Sequence, residues 1–149
     1  MSFKRILCPV DLADELSSAV EYAAALARGA GAEAELVYVA PEPAYQVGGR
    51  VLYDSSPEAR KRIADTLEPE LAALAEKYFS GVKVKTTLLY GDPMEALPEY
   101  TKKDEWDLLV IATHGRSGWN RFFVGSVAQR LIKLVHIPVV SIKPPEKGK

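Results

Sequence analysis

Short apolar runs alternate with segments of helical periodicity along this chain, and few folds are compatible with that pattern. Three of the runs, ELVYVA, DLLVIA and IPVVSI, have almost no polar residue inside. Such strands are typical of parallel sheets that carry helices on both faces. With two further runs they predict five strands, over Lys4–Pro9, Ala34–Ala40, Val82–Tyr90, Asp107–Ala112 and Ile137–Lys143.

The segments between the predicted strands have the spacing of amphipathic helices. Between the first two strands, small apolar residues repeat at helical spacing until Gly29 or Gly31 ends the pattern. The second helix is predicted to begin at Ser56, whose side chain can cap its first turn. Pro69 lies inside this helix and is expected to kink it, because proline removes a helical hydrogen bond.

Two more helices complete the predicted fold. One begins at Asp92 and is expected to be short because of Pro98. The other begins near Ser126 and is expected to send four residues into the core: Ala128, Leu131, Ile132 and Val135. Five strands alternating with four helices predict an α/β fold with a single doubly wound, Rossmann-like parallel sheet. We expect one domain over residues 1–149, in which residues 144–149 form a frayed tail.

Doubly wound sheets bind ligands beyond the carboxyl ends of their strands, where the strand order reverses. The loops after the first, second and fourth predicted strands are therefore candidate sites. The third strand, VKVKTTLLY, alternates in its first half and is placed near an edge of the sheet. Two interpretations are open for the long connection Pro41–Ser56, which contains Gly48-Gly49: a flap over a site, or a mobile excursion.

Charge and cysteine content exclude several classes of protein. The chain has 19 basic and 20 acidic residues, so no global field attracts it to nucleic acid or to an anionic membrane. No apolar run approaches the roughly 18 residues that span a bilayer, and Asp11 comes too early for a signal peptide. Cys8 is the only cysteine, which excludes a disulfide framework. We expect a cytoplasmic protein without membrane insertion.

One loop has the composition of an anion site: THGRSGWNRFFVGS, after the fourth predicted strand. Gly115 and Gly118 lack a Cβ atom, so backbone amides there can approach a ligand closely. Gly125 precedes the fourth helix, whose first amides and dipole favour an anion. Two arginines, Arg116 among them, add positive charge. The alternative is that Gly125 and Ser126 only form the turn and cap of the helix, while the arginines are solvated.

The loop after the first strand has a different chemistry. It reads PVDLADELSSA and contains no glycine, which excludes both the dinucleotide-binding fingerprint and the P-loop. Asp11 is the candidate residue there. Either Asp11 or Asp14 caps the following helix, or Asp11 contacts a ligand or a metal ion.

Taken together, these segments resemble the universal stress protein family. Gly115 and Gly125 are separated by nine residues and followed by Ser126, which is similar to the nucleotide-binding signature of that family, G-x-x-G, nine residues, then G-[ST]. ILCPVD, LVYVAP, YGDP, GSVAQRLI and IPVVSIK extend the resemblance over almost the whole chain. The first glycine of the signature falls on Ala112, whose methyl group is expected to narrow the site near the ribose.

The resemblance implies an adenine-nucleotide site in a fold of the adenine-nucleotide alpha hydrolase type. It implies that Asp11 lies at the nucleoside end and that Val39 contacts the adenine through its backbone. ATP with Mg²⁺ is the implied ligand, with AMP or ADP as alternatives, and Asp11 is a possible contact of the ATP-bound magnesium. The full set of implied nucleotide-binding residues is Pro9, Val10, Asp11, Val39, Ala112, His114, Gly115, Arg116, Gly118, Gly125, Ser126, Val127 and Ala128.

The resemblance also implies a homodimer. Ile137–Lys143, the apolar final strand, is the expected pairing edge, because an uncovered edge of that kind invites association. Residues 119–124 are expected to report bound ATP to an unidentified protein partner. Two other functions stay open: a nucleotide-free protein-interaction module of the same fold, and a slow ATPase.

Few residues support catalysis. His114 could contact phosphate or act as an acid or base, but a packing role in the loop is favoured. His136 falls at the predicted end of the last helix, where a cation is favourable. Neither histidine has a cysteine or glutamate at metal-ligand spacing, and no nucleophile with a paired base is visible. Any catalysis is therefore expected to be slow ATP hydrolysis.

Overall fold

The computed structural model describes residues 2–12, 18–103, 105–112 and 126–143, and for residues 18 and 126–128 it describes the backbone alone. The strands in these ranges are β1 (Arg5–Pro9), β2 (Glu33–Ala40), β3 (Ala44–Val47), β4 (Arg50–Tyr53), β5 (Val84–Tyr90), β6 (Leu108–Ala112) and β7 (Val139–Ile142). The helices there are α1 (Ser18–Ala30), α2 (Pro57–Tyr78), α3 (Pro93–Lys102) and α4 (Ser126–Leu134). The predicted tail, residues 144–149, lies outside the described residues.

Five of the strands form one parallel sheet in the order β5-β2-β1-β6-β7. All five were predicted, and their observed ends lie within two residues of the predicted ones. The predicted edge position of β5 is confirmed, and β7 occupies the other edge. Since β2 lies on one side of β1 and β6 on the other, the strand order reverses next to β1.

The sheet has a hydrophobic cluster on each face, because successive side chains of a strand point to opposite faces. On one face Ile6 and Leu36 pack with residues of α1 and α2. On the other face Leu7 and Val37 pack with Leu97 of α3 and with residues of α4. The apolar runs of the central strands therefore reflect burial on both sides, as the sequence predicted.

Helix α1 lies close to the sheet because its buried face consists largely of alanine. Ala23, Ala24 and Ala27 are almost inaccessible to solvent. The helix ends at Gly31, whose φ of 63° is left-handed, and the Ala32 amide donates to the Ala27 carbonyl at 2.8 Å. Glycine adopts this conformation without the strain of a side chain, so the predicted stop is confirmed.

Helices α2 and α3 begin at side-chain caps and continue through internal prolines. The Ser56 hydroxyl accepts a hydrogen bond from the Ala59 amide at 3.2 Å, as predicted. Asp92 caps α3 in the same way. Neither Pro69 in α2 nor Pro98 in α3 ends its helix, and α3 extends past Pro98 to Lys102. The kink expected at Pro69 stays a prediction.

Helix α4 corrects one prediction. Leu131 and Val135, four residues apart, are buried against the sheet, but Ile132 is 42% exposed. Consecutive residues of a helix point about 100° apart, so a helix that packs through one narrow stripe turns Ile132 towards solvent. Ile132 therefore does not belong to the core. The side chain of Ala128 lies outside the described residues.

The connection between β2 and α2 forms a β-hairpin, which the sequence analysis did not predict. Strands β3 and β4 pair antiparallel, with Val47 opposite Arg50. Gly48 and Gly49 between them have φ values of 56° and 76°. Both angles are left-handed, as a two-residue hairpin turn of type I′ requires. We call Ala44–Tyr53 the ribbon.

Candidate functional site

The sheet opens between β1 and β6 at the position where the strand order reverses. Their register pairs stop at Leu7 and Leu109, although β1 continues to Pro9 and β6 to Ala112. The two strands are therefore not paired with each other along their carboxyl-terminal portions, although β1 stays paired with β2 and β6 with β7. Pro9 and Ala112, both predicted site residues, border this opening, and ligands of doubly wound sheets bind at such a place.

The Val39 backbone has the most informative geometry of the predicted residues. The Val10 amide donates to the Val37 carbonyl at 2.8 Å, and this is the last recorded bond between β1 and β2. Since polar groups on a parallel strand alternate in direction, those of Val39 point to the same side as those of Val37. β1 has ended at that level, and among the described residues no hydrogen bond is recorded for the Val39 N–H or C=O.

A peptide group at this depth requires a hydrogen-bond partner beyond those that the described residues provide. Val39 is 2% exposed, and buried backbone groups are almost always hydrogen-bonded because an unmade bond costs free energy. The Val39 N–H is a donor and its C=O is an acceptor, and the two lie side by side. They complement a planar ring whose edge has an acceptor next to a donor. The adenine edge has this arrangement at N1 and N6.

Asp11 follows β1 directly and lies at the same edge of the sheet. Its side chain is partly exposed. The pKa of Tyr38, on β2, is raised above its ordinary value first by burial and then by the negative charges of Asp11 and Glu70. The Asp11 carboxylate thus lies close enough to β2 to influence the pKa of Tyr38. Asp14 lies outside the described residues, so the choice between a helix cap and a ligand contact stays open.

The beginning of α4 is the other described part of the predicted site. Its first turn contains Ser126, Val127 and Ala128, as predicted. The helix follows the carboxyl end of β6, so its amino end starts at the same edge as the opening, where the dipole favours an anion. Five predicted site residues lie outside the described residues: His114, Gly115, Arg116, Gly118 and Gly125. Their roles stay predictions.

Three residues near the same edge form a cluster that the sequence analysis missed. Arg60 of α2 forms a two-pronged ion pair with Glu42, which follows β2. The guanidinium lies 4.8 Å from the ring centre of Tyr90, at the end of β5, and the Tyr90 hydroxyl donates to the Arg60 carbonyl at 2.9 Å. The hydrogen bond to Glu42 raises the pKa of Arg60. Nothing in their sequence spacing indicated this contact.

At the amino end of the strands, the carboxylates of Glu35 and Asp107 are paired, whereas the buried Trp106 Nε1 has no hydrogen-bond partner among the described residues. Glu35, in the amino half of β2, is buried, and its carboxylate accepts from Tyr100 at 2.7 Å and from Thr87 at 3.0 Å. Lys85 completes the set at 3.4 Å. Asp107 accepts from the amides of Lys4 and Arg5 at 2.8 and 2.9 Å, and these bonds lower its pKa.

Cys8 lies in β1, two residues before Val10. It is fully buried, and burial raises the pKa of its thiol to about 12. The thiol therefore remains protonated at neutral pH and is a poor nucleophile or metal ligand. Across the described ranges, no three His, Cys, Asp or Glu residues come together as a metal cluster, and none of the helices there is long and apolar enough to cross a membrane.

The sheet order and the opening beside β1 define a class: doubly wound α/β proteins whose ligand site lies at the switch in strand order. The model of the universal stress protein family matches residues 2–143. Universal stress protein MJ0531 of Methanocaldococcus jannaschii is 31% identical over 154 aligned residues, covering 97% of this chain and 85% of that protein. A universal stress protein of Thermus aquaticus is 29% identical, with 95% and 99% covered. The chain belongs to the universal stress protein family.

Solved structures agree with this fold. MJ0577 of M. jannaschii superposes with a TM-score of 0.74 at 19% identity. The superposition covers 99% of this chain and 100% of that one. A universal stress protein in complex with cAMP gives 0.69 at 17% identity, with 95% and 98% covered. The Archaeoglobus fulgidus protein in complex with dAMP gives 0.62 at 23%, with 96% and 100% covered.

Proposed function

We propose that this protein binds ATP with Mg²⁺ at the carboxyl edge of its sheet and acts as a nucleotide-dependent regulatory module in the cytoplasm. The observation that carries the proposal is the buried Val39 peptide, which has no recorded partner among the described residues. It presents a donor and an acceptor beside the end of β1. An adenine base supplies the complementary pair, and such hydrogen bonds select an adenine edge over a ring with the reverse pattern.

The described residues at this edge have distinct roles in the proposal. Pro9 and Val10 end β1 beneath the nucleoside, and Asp11 binds the ribose hydroxyls or the magnesium ion. Ala112 borders the ribose from the β6 side, where its methyl group limits the space. The phosphates lie towards the amino end of α4 and bind the amides of Ser126, Val127 and Ala128.

The loop between β6 and α4 supplies the remaining contacts of the proposal. Gly115, Gly118 and Gly125 allow close approach of backbone amides to the phosphates. Arg116 neutralises phosphate charge, and His114 adds a hydrogen-bond donor. Complexes of two family members with dAMP and cAMP support the adenine-nucleotide class of ligand for this chain. AMP and ADP are then competitors at the same site.

The proposed module acts as a homodimer through the segment Ile137–Lys143. Strand β7 within this segment is at the edge of the sheet and pairs only with β6 among the described strands. Antiparallel pairing with β7 of the second copy would provide hydrogen-bond partners for the backbone groups of this edge strand. Residues 119–124, between the glycines, would report the bound nucleotide to a protein partner.

Nucleotide release followed by titration tests the proposal. We expect the purified protein to release an adenine nucleotide on denaturation, detected by mass spectrometry. The stripped and refolded protein should bind magnesium ATP at one site per chain by calorimetry. No release and no heat would contradict nucleotide binding and favour the nucleotide-free interaction module. Steady phosphate production by the wild-type protein would favour the slow ATPase instead.

Gly125→Val tests the phosphate end of the site. The added side chain should displace the phosphates from two or more amides, which lowers ATP affinity about a hundredfold. Gly29→Val is the matched control, because a Cβ atom at Gly29 meets nothing within 4 Å. Its ATP affinity should equal that of the wild type. Unchanged affinity in the Gly125 variant would rule out the proposed phosphate position.

A further inference from the structure

The ribbon exposes more apolar surface than a hairpin that stands alone can tolerate. Tyr45, Val47 and Leu52 are 52%, 54% and 41% exposed. No ribbon residue belongs to either hydrophobic cluster of the described chain. An isolated two-stranded hairpin is marginally stable in water, and contiguous exposed apolar patches mark interaction sites. The ribbon therefore has a surface that is suited to being covered.

One face of the ribbon combines these apolar residues with charges at its two ends. Cross-strand partners share a face, and the register pairs Tyr45 with Leu52 and Val47 with Arg50. The Asp54 amide donates to the Pro43 carbonyl at 2.8 Å, which extends the ladder by one pair. By strand alternation Arg50, Leu52 and Asp54 then lie on the same side. We call this side, with Tyr45 and Val47, the Leu52 face.

A groove continues the Leu52 face at its base. It has a volume of about 670 Å³ and lies between the base of the ribbon and α2. Tyr45 and Asp54 line it from the ribbon side. The α2 side contributes Ala59, Arg62, Ile63, Thr66 and Leu67. The groove is thus mostly apolar, and its charged lining residues are Glu42, Asp54 and Arg62.

The base of the ribbon is firmly held. The Ser56 amide donates to the Asp54 carboxylate at 3.0 Å, and the bonds from Ser56 lower the pKa of Asp54. The ion pair between Glu42 and Arg60 joins the segment before the ribbon to α2. No ion pair is recorded for Asp54 or for Arg50 among the described residues. The Asp54 carboxylate at the base accepts from Ser56 and lies near the charge of Arg62, and the Arg50 guanidinium at the tip has no ion pair recorded in the described chain.

We propose that a second copy of this chain covers the Leu52 face in an isologous contact. A two-fold axis near Leu52 brings each Leu52 against its counterpart and each tip against the other base. Arg50 of one copy then pairs with Asp54 of the other, twice, and Val47 enters the partner groove beside α2. Arg50 is the only charged residue within AYQVGGRVLY, so the two ribbons themselves bring no like charges together. Arg62 also lines the groove, and it shares the Asp54 carboxylate with the incoming Arg50. The contact is separate from β7 and from the nucleotide site.

Charge exchange between copies tests this contact. Arg50→Glu and Asp54→Lys should each weaken the association through the ribbon about tenfold, measured by sedimentation as the dissociation constant of the step that is additional to pairing through β7. An equimolar mixture of the two variants should recover association. In the mixed dimer the introduced glutamate lies opposite the introduced lysine, and the retained Arg50 lies opposite the retained Asp54. Glu76→Lys, an exposed charge reversal on α2, should have no effect. Failure of the mixture to associate would overturn the proposal.

Leu52→Asp tests the apolar centre of the contact. We expect association to weaken about a hundredfold, because two buried leucines are lost from the centre of the interface. ATP affinity and the urea midpoint of the monomer serve as readouts that the change should leave intact. If a different segment or another protein covers the face, all ribbon variants will keep the mass of the wild type. That result would also overturn the proposal, and it would leave nucleotide binding unaffected.

Discussion

The buried Glu35 carboxylate at the amino end of the parallel sheet and the buried Val39 peptide at its carboxyl end differ in their hydrogen bonding. At the amino end Glu35 and Asp107 accept hydrogen bonds from neighbouring strands and helices, although Glu35 is buried. At the carboxyl end the Val39 peptide is equally buried but has no recorded partner in the described chain. A buried polar group without a partner lowers stability, and Val39 lies at the switch in strand order, where doubly wound sheets bind ligands. The carboxylates of the amino end stabilise the fold, and the Val39 peptide of the carboxyl end carries the proposed adenine contact.

The difference originates in strand length. β2 extends to Ala40, whereas β1 has its last register pair at Val37. The additional residues of β2 remain paired with β5 on their other side, since the Gly91 amide donates to the Ala40 carbonyl at 2.9 Å. This support holds the Val39 peptide in place without using its polar groups. A donor and an acceptor that are held rigidly in advance reduce the entropy lost on binding.

Proline substitutions on β2 should show the largest difference between a position whose N–H pairs with β1, Val37, and one whose N–H does not, Val39. Val37→Pro removes an N–H that points into the β1 ladder and should cost more than about 3 kcal/mol of unfolding free energy. Val39→Pro removes an N–H that β1 does not use. We expect it to fold, with ATP affinity lowered about tenfold. Urea titration and calorimetry measure the two effects; equal destabilisation by both prolines would contradict the unpaired state of Val39.

Alanine substitutions at the amino end of β2 sharpen the comparison. Glu35→Ala leaves the Tyr100 and Thr87 hydroxyls without their acceptor and should lower the unfolding free energy by about 2 kcal/mol. Glu33→Ala is the control on the same strand face: Glu33 pairs with exposed Lys83, and its loss should cost less than about 1 kcal/mol. Neither change should affect ATP affinity. A weaker ATP complex in Glu35→Ala would show that the two ends are not independent.

Acid titration detects the smallest effect. The pKa of Asp107 is lowered by the Lys4 and Arg5 amides, so its folded value lies below the unfolded value of about 3.9. The unfolded chain therefore binds the proton first, and the contribution of Asp107 is complete above the unfolded pKa and lost as pH falls through the folded one. Asp107→Asn should flatten the pH dependence of unfolding below about pH 4. A profile identical to that of the wild type would exclude this role.

Much of the sheet could be predicted because the determining signals are local. Burial on both faces makes a central strand such as ELVYVA apolar throughout, and helix stops such as Gly31 depend on one residue. The hairpin was also encoded locally, by Gly48-Gly49 between strand-forming residues, but its weak apolar alternation was not recognised. Ile132 was misassigned because an apolar residue at helical spacing does not reveal how wide a stripe the sheet can cover.

The functional geometry was less accessible to sequence reasoning. Val39 entered the predicted site only through a family resemblance, because its unpaired state depends on the register of β1 against β2. Glu35 is a polar residue in an apolar run, and its partner Tyr100 is 65 residues away. Arg60 and Glu42 are likewise paired although they lie 18 residues apart in the sequence. Contacts between distant residues require the folded topology, which local patterns do not specify.

The buried thiol of Cys8 makes opening of the central strand directly measurable. With a pKa of about 12 in place of 9.0, the folded protein holds about a thousandfold less thiolate than an exposed cysteine would. Alkylating reagents therefore modify the chain only while β1 is open. Since Cys8 is the only cysteine, the labelling rate reports one event at one position. A ligand that binds at the neighbouring carboxyl edge should stabilise β1 and thereby slow the alkylation of Cys8. The alkylation rate of this natural cysteine therefore measures ligand binding without an added label.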